Sequence, residues 1–158
     1  MKLTEIVVES AIITDIEPSE RDAVLALAVD RLVEAGAIDA SIRDEILAKL
    51  IERETKGSTG FGRGVAVPHA KHPGITKLTS SIALSERGID FAALDKQPVY
   101  SVFLLLSPQD QPEEHLQAME VIFKNLSKDT FRRFLRQART VEEVMTLLDE
   151  ADSQQLTG

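Results

Sequence analysis

A chain of 158 residues with a net charge of −8, 43% hydrophobic residues and no cysteine fits one domain that uses neither disulfides nor thiolate chemistry. It has no run of roughly 18 apolar residues to span a membrane, and its opening stretch carries Glu5, Glu9 and Asp15 where a signal peptide needs an uncharged core, which predicts an unexported cytoplasmic protein. With no basic cluster beyond Arg132-Arg133, the acidic balance disfavours nucleic acid as a partner.

Ala11 to Ile16 reads as a short strand that starts a sheet. Pro18-Ser19-Glu20-Arg21-Asp22 resembles a helix start, with Ser19 as the cap, and Val24, Leu25, Ala28, Leu32 and Val33 continue at helical spacing to Gly36. A second helix is predicted from Ser41, with Ile42, Ile46, Leu47, Leu50 and Ile51 as its apolar face. Arg53, seven residues beyond Ile46, projects within about 20° of that face. The helix macrodipole alone accounts for an arginine at this end; the functional alternative is that Arg53 reaches past the helix to hold an anion.

Residues 57–72 read GSTGFGRGVAVPHAKH. The glycines allow positive φ and close backbone approach, as a loop needs if its amides are to surround an anion. Val65-Ala66-Val67 predicts a buried strand ended by Pro68, which leaves His69 at a rigid strand-to-loop junction. Arg53, Lys56, Arg63 and Lys71 make the neighbourhood locally cationic, although ordinary alternating surface charge accounts for that equally well.

Farther on, Leu78 to Leu84 reads as a strand, residues 88–98 as a connection, and the nearly continuous apolar run Val99 to Leu106 as a central strand. Pro112, Glu113 and Glu114 suit the first turn of a third helix. His115 follows in that turn, with Ala118, Met119 and Ile122 placing it on the apolar face, where a satisfied core histidine is the first reading. Helices over about Thr130 to Arg136 and Thr140 to Ala151 close the chain, and residues 152–158 read as a flexible tail. The alternation predicts an α/β sandwich on one sheet, with residues 1–151 as its single domain.

Several familiar sites fail. Lys56-Gly57-Ser58 has the wrong order for a P-loop, Gly60 and Gly62 lack the third glycine of a dinucleotide fingerprint, and no G-x-S-x-G elbow occurs. His69, His72 and His115 form only a weak case for a metal site, because Pro73 discourages a helix that would align the first two. By itself His69 reads equally as a nucleophile or as a buried loop histidine.

Arg53-Glu54 followed by GSTGFGRGVAVPHAK closely resembles the active-site signature of enzyme IIA of the phosphoenolpyruvate-dependent sugar phosphotransferase system, in its fructose, mannitol and nitrogen-regulatory branch. Gly88-Ile89-Asp90-Phe91, Asp95 to Val99 and Glu114 to Gln117 look like later family landmarks in order, so the resemblance spans nearly the whole chain. It implies a mixed sheet flanked by helices in a three-layer sandwich. The implied chemistry is transfer of a phosphoryl group from phosphohistidine on the carrier HPr to His69, with Arg53 and His115 beside it, and onward to a cysteine-bearing IIB domain. The alternative is a stand-alone nitrogen-type regulator whose phosphorylation state controls binding to target proteins. No metal or cofactor is implied, and His72 matches no family role, which leaves it surface or loop duty. In physical terms His69 is the nucleophile, Arg53 offers two parallel donors, His115 is a neutral donor, and the amides of Gly57, Ser58, Thr59 and Gly60 add further contacts to the phosphoryl group.

Overall fold

A computed structural model describes residues 1–154. Its elements are α1 (Leu3–Ile6), α2 (Arg21–Glu34), α3 (Arg43–Thr55), β1 (Gly60–Gly62), β2 (Val65–Ala66), β3 (His69–His72), β4 (Thr79–Ile89), β5 (Val99–Pro108), α4 (Pro112–Leu126), α5 (Asp129–Gln137) and α6 (Val141–Asp152). The apolar run read as a central strand is β5, paired antiparallel with β4 along one edge and parallel with both β2 and β3 along the other. The sheet is therefore mixed, and β1 extends it by pairing antiparallel with β2.

Period-two alternation divides the molecule into three layers. Val102, Leu104 and Leu106 join Ala66 and Ala70 in a core against α2 and α3, whereas Phe103 and Leu105 join Val65 and Val67 in a second core against α4, α5 and α6. Both faces of β5 are thus covered, which is why its apolar run is almost unbroken.

Pro68 does not end a strand, as the sequence suggested, but interrupts one. Val65 lies opposite Ser101 and His69 opposite Leu105, so β2 and β3 follow the same edge of β5 at one offset. Proline withdraws its own N–H from the ladder, yet its carbonyl still accepts from Leu105 N at 3.0 Å. His69 accordingly begins a strand instead of a loop.

Three other boundaries differ from expectation. Residues 11–16 make only isolated bonds to the β4 edge, such as Ile13 N to Ile82 O at 2.9 Å, because a 3₁₀ turn over Glu9–Ala11 breaks the ladder and Ile12 and Ile13 enter opposite cores. Ser19 does not cap α2: the chain stays extended through Glu20, where Ser19 O accepts from Asp90 N. Asp39, not Ser41, opens the approach to α3, its side chain accepting from Ser41 N at 2.8 Å ahead of a 3₁₀ turn.

Asp152, placed by sequence in the tail, is the last residue of α6 and a long-range cap. Its carboxylate accepts from Leu3 N at 2.6 Å and Thr4 N at 3.0 Å, the unpaired first amides of α1, and from Thr4 Oγ1 at 2.7 Å. Residues 155–158 of the expected tail lie outside the described residues. Charge-assisted bonds of this kind are worth roughly 1.5–3 kcal/mol. Asp152→Ala should therefore lower unfolding stability by about that amount in a urea titration, and an unchanged midpoint would show that α1 holds without its cap.

Candidate active site

The site begins where α3 hands over to the glycine turn. Glu54, only 4% exposed, bends the chain back on itself, accepting from Thr59 N at 3.0 Å and Thr59 Oγ1 at 2.6 Å. Gly57 takes φ 145°, and a Cβ on Gly60 would sit 2.9 Å from that of Ala93, so neither position accommodates a larger residue without strain. Ser58 Oγ donates to Phe91 O at 2.7 Å and accepts from Gly60 N at 2.9 Å. The amides of Gly57, Thr59 and Gly60 are thus engaged inside the turn, Gly57 N with Glu54 O at 3.2 Å. These bonds shape the turn, and the Ser58 amide is not among them. Arg53 is fixed by the turn, Nη1 donating to Gly57 O at 2.7 Å.

His69 faces the α4 layer, because Ala70 after it belongs to the α2/α3 core. Its Nδ1 lies 2.8 Å from Val67 O. A carbonyl only accepts, so Nδ1 carries the proton and Nε2 keeps its lone pair. The break at Pro68 is what makes this bond possible, since Val67 points its N–H back to Thr59 O at 3.0 Å and its carbonyl towards the histidine ring.

His115, in the first turn of α4, completes the pair. The two rings are 5.6 Å apart at their centroids and inclined by 51°. Nδ1 of His115 lies 2.6 Å from Oγ of Ser107, a buried residue near the end of β5. Among the described residues this nitrogen is the buried hydroxyl's one hydrogen-bond partner, and donation by the Ser107 O–H is the arrangement that leaves no buried hydroxyl proton unpaired, which puts the ring proton on Nε2. The two histidines consequently hold opposite tautomers: one presents a lone pair, the other an N–H.

Both rings favour the neutral form. Burial pushes the His69 pKa down, partly opposed by the Val67 bond and the Glu54 carboxylate, and the nearby charges of Arg53 and Lys71 push the same way as burial. Burial, then Lys71 and His69, takes His115 down to about 4. The unfolded chain therefore binds more protons than the folded one between that value and about 6.5, and stability falls as pH drops through this window. In an NMR titration, ring protons of His115 should show a midpoint near 4, and those of His69 one below the ordinary range; midpoints at or above about 6.5 would overturn the neutral pair.

His72 does not converge with the others. Three residues beyond His69 in a strand, it points to the opposite face, where it is 7% exposed, accepts from Gly74 N at 2.8 Å through Nδ1 and lies 3.4 Å from Glu45 through Nε2. Of the surface or loop duty expected of it, burial overturns the surface alternative, while its bond to Gly74 N gives it a part in the turn that follows. Two residues escaped the sequence reading, Ser107 and the Val67 carbonyl. Only the latter left a signal, as the residue before a proline in a buried strand.

Residues 5–151 match the family model of the phosphoenolpyruvate-dependent sugar phosphotransferase system, EIIA 2, and the chain belongs to that family of phosphotransferase components. It is 35% identical over 133 residues to the PTS system fructose-specific EIIA component of Haloferax volcanii, which covers 84% of this chain and 85% of that protein. The solved structure of nitrogen regulatory protein IIA-Ntr from Neisseria meningitidis matches with TM-score 0.82 and 30% identity, over 91% of this chain and 97% of that one. The Escherichia coli mannitol enzyme IIA, solved in complex with phosphorylated mannitol enzyme IIB, shares the fold with TM-score 0.75 at 19% identity, over 90% of this chain and 95% of that one. Among the described residues no helix is long and apolar enough to cross a membrane.

Proposed function

We propose that this protein is a cytoplasmic histidine phosphocarrier that accepts a phosphoryl group on Nε2 of His69 from a phospho-HPr-type carrier and passes it to a IIB acceptor in sugar uptake. The observation that carries this reading is the pinned tautomer of His69, Nδ1–H held by Val67 O, beside a second histidine turned the other way. In the transfer, the Nε2 lone pair forms a new N–P bond as the N–P bond to the donor's histidine breaks, and the donor ring recovers its electron pair. His69 keeps its Nδ1 proton throughout, so the phosphorylated ring is an imidazolium whose positive charge is offset by the phosphoryl oxygens and which leaves as neutral imidazole in the onward transfer.

A loose phosphoryl transition state needs positioning and charge stabilisation more than covalent help. Arg53, oriented by Gly57 O, supplies the guanidinium, and His115 supplies Nε2–H to a phosphoryl oxygen. Lys71 shares the face of His69 and adds positive charge without occupying the ring. Gly57, Ser58, Thr59 and Gly60 act by fixing the turn from which Arg53 is presented.

A second reading, a nitrogen-type regulator, is favoured by the likeness to the Neisseria meningitidis protein. It uses the same phosphorylated histidine, with binding to target proteins as output. Incubation with phosphoenolpyruvate, enzyme I and HPr should label the protein in an acid-labile form. Onward transfer to a IIB domain then supports uptake; stable label with no transfer to any fructose- or mannitol-type IIB supports regulation.

A further inference from the structure

In a chain of net charge −8, one cavity of about 460 Å³ is lined by Arg63, Arg132, Arg133, Arg136 and Arg139, with Asp129 as its one carboxylate. It lies between the β1–β2 turn, which carries Arg63, and α5 with the turn that follows it. Asp129 is already used: it accepts from Arg132 Nη2 at 2.9 Å, while Nη1 of the same arginine donates to Leu126 O at 2.7 Å. Arg139 reaches Glu86 only at 3.9 Å.

The remaining three are different. Among the described residues, Arg63, Arg133 and Arg136 have no carboxylate within ion-pair distance. Arg136 lies 3.5 Å over the ring of Tyr100, and Arg133 stands 5.4 Å from that of Phe134. Stacking holds a guanidinium by its face and leaves its N–H edge to bind elsewhere. Arg63 occupies φ 60°, a left-handed position that glycine or asparagine fills at less cost. Its backbone N–H goes to Asp95 Oδ2 at 3.0 Å, so this carboxylate fixes the turn and leaves the guanidinium unpaired.

Unpaired guanidinium groups brought together repel one another unless an anion joins them, and their planar forks match phosphate oxygens in pairs. The volume falls within the range typical of small-molecule sites. We infer that this cavity is an anion site that takes a small compound with clustered phosphates, the three unpaired arginines setting a charge requirement that a single phosphate does not meet. Inorganic polyphosphate and the phosphate tail of a nucleotide share this chemistry. The site is separate from the histidine pair: no residue of α4, the helix that carries His115, lines it, and the nearest link is Phe61, two residues before Arg63, which packs edge-on against Phe123 of α4 with centroids 4.9 Å apart.

Isothermal titration calorimetry of the full chain with tripolyphosphate, ATP and orthophosphate at fixed ionic strength tests the inference. Tripolyphosphate should bind saturably at one site and at least tenfold more tightly than orthophosphate. The double variant Arg63→Gly/Arg133→Gln should weaken it a further tenfold or more while retaining the circular dichroism spectrum. His69→Gln should bind like wild type, which separates this site from the phosphoryl site. Equal affinity for tripolyphosphate and ATP assigns recognition to the phosphates alone, and tighter ATP binding adds a contact to the nucleoside; both support the site. Absence of saturable binding, affinity unchanged in the double variant, loss of binding in His69→Gln, or capture of a poly-glutamate peptide without tripolyphosphate would each overturn it.

Discussion

His69→Gln should abolish acid-labile labelling from phosphoenolpyruvate, enzyme I and HPr, because glutamine retains the size of the side chain but has no imidazole lone pair to form an N–P bond. The substitution forfeits one hydrogen bond to Val67 O, worth about 0.5–1.5 kcal/mol, so the protein should stay folded and the loss should be chemical. His72→Ala is the matched opposite. It removes the acceptor of Gly74 N and leaves a cavity on the α2/α3 side, and should cost about 1–3 kcal/mol of stability while labelling proceeds. Strand parity is what separates the two outcomes, since His69 and His72 leave β3 on opposite faces. Label retained in His69→Gln, or lost in a folded His72→Ala, would remove His69 from the centre of the site.

Much of this was readable from the residues alone. The apolar run of β5, the acidic first turn of α4 and the inward spacing of His115 are local patterns, and each marks its element without reference to the rest of the chain. What sequence missed depends on partners distant along the chain. Pro68 looks like a strand end until β5 is seen to hold both sides of it in one register. The burial of His72 becomes readable only once residues 69–72 are known to be a strand, and Ser107 has no pattern to announce it, being a serine between a run of leucines and Pro108 until α4 sets His115 against it. The glycine turn was legible only in part. Its composition suggests an open cradle of amides, and Glu54 and Ser58, both ordinary polar residues by sequence, turn those of Thr59 and Gly60 inward. Asp152 reads as part of a tail because the helix it caps lies at the other end of the chain.

If the glycine turn presents Arg53 instead of binding the anion itself, stabilisation of the phosphoryl group is concentrated in few donors, and removing one should be severe. Arg53→Gln should slow phosphoryl transfer by roughly 10²–10³, the usual loss when a preorganised donor to a developing charge is deleted. Arg53→Lys should fall between, since lysine restores the charge but not the fork. His115→Ala should lose a comparable factor, and Ser107→Ala less, because it leaves the N–H in place and only frees the ring to change tautomer. Rapid-quench single-turnover labelling measures all four, and a rate within about twofold of wild type for Arg53→Gln would return the anion to the loop amides. The double variant Arg53→Gln/His115→Ala then distinguishes how the donors work. Independent contacts to separate oxygens multiply their losses, whereas two groups that together fix one phosphoryl geometry lose most of it with the first substitution, so the second costs little. The 5.6 Å between the histidine rings and the tethers of Arg53 to Gly57 O and of His115 to Ser107 Oγ favour the second outcome, because each donor is held by a hydrogen bond in a single position and the phosphoryl group must meet both at once.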